Sequence, residues 1–377
     1  MPIGLDEFPI HQAPFSLEYP ASTDRNFYDR CYLNAHDRTG EVFLISGLGV
    51  YPNLGVIDAY ATVRVGDVQY SVHFSDALGP DRMQQKVGGY SIEVIEPLHR
   101  LHVVCEGDEH GVGFDLHWTG AFPAVQEQPH LMRVGGRVIL DACRFAQVGS
   151  WEGELRVDGR IFEVSSDTWV GTRDRSWGIR PVGEADPAGR ASAETAPDWG
   201  FWWMYLPLKF DEFAIVLIAQ EDGQGHRTLN DAVRVWPAES GRGVEQLGWP
   251  EFTTAYRPGT RDPIATTVAF TGENGERETL EIESLGFVAL NCGAGYGADP
   301  DWNHGRWMGR EYATGLRVDL SDPMVAGRIP FGVVDHVGRA TLKRNGQAPV
   351  EGWGLYEHAS IGAHSPSNFA DFGSVAP

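Results

Sequence analysis

Three titratable residues stand where their side chains could do chemistry: Asp174, Glu357 and His304. Asp174 lies in WVGTRDRSWGIRP, residues Trp169 to Pro181, between Arg173 and Arg175. In an extended segment alternate side chains face opposite ways. Asp174 and Ser176 then share one face, and Arg173, Arg175 and Trp177 the other. The two arginines are expected to depress the Asp174 carboxyl, suiting it to orient a partner rather than to donate a proton. An inward arginine is costly unless paired, so Asp174 reads equally as the partner of one of them, in a clasp covered by Trp177.

Glu357 closes the stretch VEGWGLYEH. Trp353, Leu355 and Glu357 fall on one face, Tyr356 and His358 on the other. An apolar face raises a carboxyl pKa, by up to ~3–5 units for full burial. Glu357 is therefore the expected proton donor if it faces a cavity, and an ordinary hairpin carboxylate if it faces solvent. His304 belongs to DWNHGRWMGREY, with Trp307 and Arg310 nearby. Its ordinary pKa near neutrality suits it to activate water, although the segment also reads as a surface loop.

These residues need elements to hold them, and the sequence offers strands. GELRVDGRIFEV, VAFTGENGERETLEIE and ATLKRNGQAPVEGWGLYEH place Asp-Gly or Asn-Gly between alternating runs, the strongest short-range hairpin signal. VIDAYATVRVGDVQYSVHF reads as another hairpin. Helical periodicity is scarce and no βαβ rhythm appears, so the fold class is all-β. WGFWWMYL places Trp199, Phe201, Trp203 and Tyr205 on one strand face and Trp202 and Met204 on the other. One face is expected to fill a core and the other to line a cavity or a seam. Residues 183–198, GEADPAGRASAETAPD, lack apolar periodicity and read as a linker. They divide the 377 residues into expected domains 1–190 and 191–377.

Several chemistries are excluded. HExxH, a Walker A loop and a G-x-S-x-G elbow are absent, and NCGAGYGADP is not G-x-G-x-x-G. No cofactor is expected. His99 and His102, three apart on a strand, point to opposite faces, so no metal is expected there. The three lysines, Lys86, Lys209 and Lys343, sit beside turn residues and do not suggest Schiff-base chemistry. A net charge of -22 argues against a nucleic-acid partner and against docking to anionic lipid. Four scattered cysteines form no CxxC pair, and no apolar run resembles a signal peptide or a membrane span. A reduced, cytoplasmic protein without membrane insertion is expected. Oligomeric state is not legible.

GTRDRSWGIRP, followed by the aromatic WGFWWMYL and near the C-terminus by VEGWGLYEH, resembles the carotenoid 1,2-hydratase (hydroxyneurosporene synthase) and AttH-like superfamily. Members often carry His before Ser-Trp-Gly; this chain has Arg175, and an acid/base role is not carried over to it. The resemblance implies two lipocalin-like antiparallel β-barrel domains packed side by side, with a ligand cavity in or between them. It implies a hydratase, lyase or isomerase that acts without cofactor on an apolar, isoprenoid or aromatic, small molecule. A non-catalytic carrier of such a ligand is the alternative. Asp174, Glu357 and His304 are the expected catalytic groups. Arg173, Arg175, Trp177, Trp203, Tyr205, Trp307 and Tyr356 are expected to meet the ligand.

Overall fold

The two-residue turns form where the sequence demands them. Asp158 and Gly159 both take positive φ (50° and 75°) and join Arg137–Val157 to Arg160–Val164 with Val157 opposite Arg160. Gly66 (φ 63°), the first residue of another two-residue turn, joins Val56–Val65 to Val68–Ala77 with Val65 opposite Val68. The computed structural model describes the chain apart from residues 10, 12–15, 18, 21, 135–136, 186–198, 273–274 and 298.

The expected all-β class holds: two curled, lipocalin-like antiparallel sheets make up the molecule. At the centre of the first, Trp169–Ile179 lies between Phe27–Asp37 and Arg137–Val157. Beyond Phe27–Asp37 follow Val42–Tyr51, Val56–Val65 and Val68–Ala77; beyond Arg137–Val157 follow Val112–Gly120, Arg100–Cys105 and Tyr90–Glu96. At the centre of the second, Val350–Gly362 lies between Gly200–Phe210 and Val334–Arg344. The expected boundary at 190/191 falls outside the described residues. The chain changes sheets between Ile179 and Gly200, but Tyr312–Asp319 returns to the first sheet and pairs with Val68–Ala77. It covers an edge that would otherwise offer unpaired backbone groups.

Each sheet curls around its own apolar filling. Leu33, Val63, Trp118 and Leu155 pack inside the first. Trp202, Met204, Leu217, Ile282 and Tyr356 pack inside the second. A third apolar layer joins the sheets through their outer faces, with Phe43, Ile45, Tyr60 and Val148 against Tyr205, Val216 and Leu355. Strands between two such layers are buried on both faces, which is why Val42–Tyr51 and most of Ala214–Asp222 are apolar runs rather than alternations. The aromatic strand resolves accordingly: Trp203 and Tyr205 face the seam, Trp202 and Met204 the barrel interior. Among the described residues no helix is long and apolar enough to cross a membrane.

Candidate active site

The two faces of Trp169–Ile179 do different work. Arg173 donates through Nη1 to Glu7 Oε2 (2.9 Å), through Nη2 to Glu7 Oε1, and through Nε to Gln147 Oε1 (2.8 Å). Arg175 donates to Asp29 Oδ1 (2.8 Å), Gln85 Oε1 (2.9 Å) and the Glu7 carbonyl (2.7 Å). His11 binds the other Asp29 oxygen at 2.7 Å and stacks on Trp177 with ring centroids 3.6 Å apart. The clasp is real, but Asp174 has no part in it. Its acids are Glu7 and Asp29, and it ties the N-terminal segment to the first barrel. Arg173, Arg175 and Trp177, expected to meet a ligand, are turned away from the seam.

Asp174 and Ser176 point the other way, into a cavity of about 360 Å³ between the two sheets. Alternation places its walls: Tyr28, Arg30 and Tyr32 from the strand on one side of Trp169–Ile179, Leu140, Ala142 and Arg144 from the strand on the other. The second sheet supplies Phe201, Trp203 and Glu357, and loops add Glu127, Arg180 and Tyr296. Strand register fixes the polar rows. Tyr32 and Ala146 flank Asp174, Arg30 and Arg144 flank Ser176, and Tyr205 and Asp335 flank Glu357.

The last row holds two carboxyls directly opposite each other on one sheet face, where side chains sit within contact. Tyr32 donates its hydroxyl to Asp335 Oδ2 at 2.5 Å, and Trp203 Nε1 donates to Glu357 Oε1. Asp335 Oδ1 is buried with no donor among the described residues. Protonation of Asp335, or of the facing Glu357, is the change that would relieve this unpaired oxygen. Burial, followed by the Glu357 charge, pushes Asp335 well above the usual carboxylate range. Burial likewise raises Glu357, against the opposing Arg144 charge and its hydrogen bonds. Two such carboxyls titrate as one unit, and the pair gives up its last proton at a higher pH than an isolated carboxyl does. Glu357 is the member that reaches the cavity; Asp335 is wholly buried behind it.

Asp174 departs from its expected depression. Burial pushes it up to about 6, with Arg144 opposing and the Glu357 charge adding to the rise. The adjacent arginines are spent on Glu7 and Asp29, so desolvation wins. On the adjacent strand, Arg144 donates to Glu127 at 2.6 Å and lies 4.4 Å from the Tyr205 ring centroid.

The remaining candidates lie elsewhere. His304 is buried behind the cavity wall, edge-on to Tyr60, Tyr296 and Trp302 at 4.9, 4.7 and 4.8 Å. Burial, then the Arg30 and Arg180 charges, drive its pKa well down and keep the ring neutral. It does not line the cavity, and the surface-loop reading fails for it as well. Trp307 is exposed, 51% accessible, and is not part of the wall. Tyr356 lies inside the second barrel, bonded to Thr266 at 2.7 Å, as its alternation with Glu357 requires. Asp335, Arg30, Arg144, Glu127 and Tyr32 were not anticipated. The available signal for Asp335 was a carboxylate inside the apolar run VVDHV. Among the described residues one group of metal-ligating type, His102, Asp115 and His117, has its ligand atoms within 4.8 Å of one another. His102 already binds Asp115 at 2.7 Å, and none of the three lines the cavity.

The chain belongs to a family of unknown function, DUF8625, whose pattern matches residues 3–370. No functionally curated protein matches it. Among solved structures it is similar to kievitone hydratase from Nectria haematococca, at 15% identity and a TM-score of 0.48, covering 88% of each chain. It is also similar to CghA at 10% identity and a TM-score of 0.49, over 92% of this chain and 93% of that one. CghA with Sch210972 gives 11% identity and 0.48 over the same shares. At these values the likeness carries no argument about activity.

Proposed function

We propose that the seam cavity is an active site for acid–base chemistry on an apolar small molecule: hydration of an alkene, the reverse dehydration, or a proton-shift isomerisation. The observation that carries this reading is the Asp335–Glu357 pair, two facing buried carboxyls whose pKa values are raised, of which Glu357 opens on a cavity walled by Tyr28, Phe201, Trp203 and Tyr296.

In the hydrating direction Glu357 gives the shared proton to one alkene carbon. The neighbouring carbon becomes cationic and is stabilised by the aromatic faces, roughly 0.5–2 kcal/mol for each desolvated contact. Water adds there, and Asp174, ionised above about pH 6, takes the proton that the water sheds. Relay of that proton back to the carboxyl pair through water completes the cycle, with one water consumed. In an isomerisation Asp174 removes a proton from carbon instead. The steps balance without redox change and need no cofactor. A carrier of the same ligand would use the apolar walls but has no need of three converging carboxyls.

Incubation of the protein with apolar alkenes in heavy-oxygen water, followed by mass spectrometry, tests the reading. One labelled oxygen in the product means hydration; a retention shift at unchanged mass means isomerisation. Both must vanish in Glu357→Gln. Compounds retained but unchanged would sink the catalytic reading and leave the carrier.

A further inference from the structure

Five arginines are buried among the described residues: Arg30, Arg173, Arg175, Arg234 and Arg261. Taking a guanidinium out of water is costly unless acceptors replace the lost hydration. Four of the five are supplied. Arg173 and Arg175 have Glu7 and Asp29. Arg234 bridges Glu245 and Glu278. Arg261 donates to the carbonyls of Ser360, Gly362, Asp371 and Ser374.

Arg30 differs. Among the described residues no carboxylate lies within 4.0 Å of it, and its polar partner is the Tyr51 hydroxyl. It opens on the cavity. Arg180 stands beside it in the lining, likewise without an ion-pair partner among the described residues. The two cations share the same rings: Arg30 lies 5.7 and 4.7 Å from the Tyr28 and Tyr296 centroids, Arg180 5.6 and 5.9 Å. The third cavity arginine, Arg144, is taken by Glu127. Asp174 sits two residues further along the strand, opposite Tyr32, and forms no ion pair with Arg30 or Arg180. Ser176, directly across from Arg30, adds a hydroxyl donor facing the same space.

We infer that Arg30, Arg180 and Ser176 form a subsite for a carboxylate, so that the substrate is an apolar small molecule bearing an acidic group. This rests on the cavity being the substrate site. Two guanidiniums with free N–H edges match the planar, two-oxygen geometry of a carboxylate. They hold it on the first sheet, while Phe201, Trp203 and Glu357 meet the rest of the molecule from the second. The subsite thus sets which end of the molecule is presented to Glu357.

The test uses cinnamate and cinnamyl alcohol, an aromatic pair that differs in the charged group, titrated against the full chain by calorimetry. Cinnamate is expected to bind at least about tenfold more tightly than the alcohol. Arg180→Gln, at a half-buried position, is expected to remove most of that preference and leave the alcohol's affinity as it was. Arg30→Gln is expected to do the same where it folds. Equal affinity for the two probes, absence of cinnamate binding, or an unchanged preference in Arg180→Gln would overturn the inference. Glu357→Gln separates the two claims. It should abolish turnover and keep the cinnamate preference, so failure of the chemistry with the preference intact would count against the proposed function alone.

Discussion

Asp335 and Glu357 face each other across the paired strands Val334–Arg344 and Val350–Gly362, beneath a cavity that only Glu357 reaches. Tyr32 fixes one member and Trp203 the other. Asp335 acts through Glu357 and is a positioning residue. Its replacement by Asn removes the second carboxylate that opposes loss of the pair's last proton, so Glu357 should ionise at lower pH. The alkaline limb of a kcat profile should then move to lower pH in Asp335→Asn, with folding retained. A limb that stays in place would mean that Asp335 is only packed there.

Asp174, held at about 6, is the base in this account. Activity should rise through about pH 6 as it ionises. Asp174→Asn should abolish that limb and lower kcat by about 10²–10⁴, the usual contribution of a positioned acid or base. A limb that persists in the variant would assign it to another group.

The clasp on the opposite face is structural. Removing one partner of a buried ion pair typically costs about 3–5 kcal/mol, because the other charge is left stranded. Glu7→Gln should destabilise on that scale, measured by urea unfolding, with little change in kcat of the folded fraction. Burial alone would raise Glu7, but the Arg173 charge and hydrogen bonds hold it below its ordinary value, and Arg175 does the same for Asp29. These two carboxylates stabilise the fold above their unfolded pKa. The contribution is lost as pH falls through the lower folded value. Glu7→Gln should accordingly blunt the acid limb of the stability curve.

Asp58 works in the opposite sense. Burial pushes it to about 7, against the Gly305 N–H bond and the Arg30 charge. The folded protein holds this proton between about pH 4 and 7, so stability falls as pH rises through that window. The decline amounts to about 4 kcal/mol for a shift of roughly three pKa units. Asp58→Asn should remove it. The difference between wild-type and variant unfolding curves isolates the effect, since Glu7 and Asp29 act equally in both.

Much of the fold was legible because local chemistry dictates it. Asp158-Gly159 set a hairpin, and alternation in WGFWWMYL separated seam from interior. Glu357 was legible too, as a carboxyl on an apolar strand face. Its partner was not, because the facing of Asp335 and Glu357 depends on strand register rather than on any motif. The arginines misled for a related reason. Asp174 is their neighbour in the chain, but alternation turns it away, and the acid that pairs with Arg173 lies 166 residues earlier. Tyr356 shows the reverse: it was expected to meet the ligand, although alternation puts it on the strand face away from Glu357, and it packs in the barrel interior.

Proton donation by Glu357 requires that the Asp335–Glu357 pair hold a proton at neutral pH. Infrared difference spectroscopy of wild type against the double variant Asp335→Asn, Glu357→Gln, at about pH 8 where Asp174 and Asp58 have ionised, measures it directly. A protonated-carboxyl C=O band in the wild type that is missing from the double variant is the predicted result. Carboxylate bands alone, with no protonated component in the difference, would mean that both groups are ionised and that Glu357 has no proton to give.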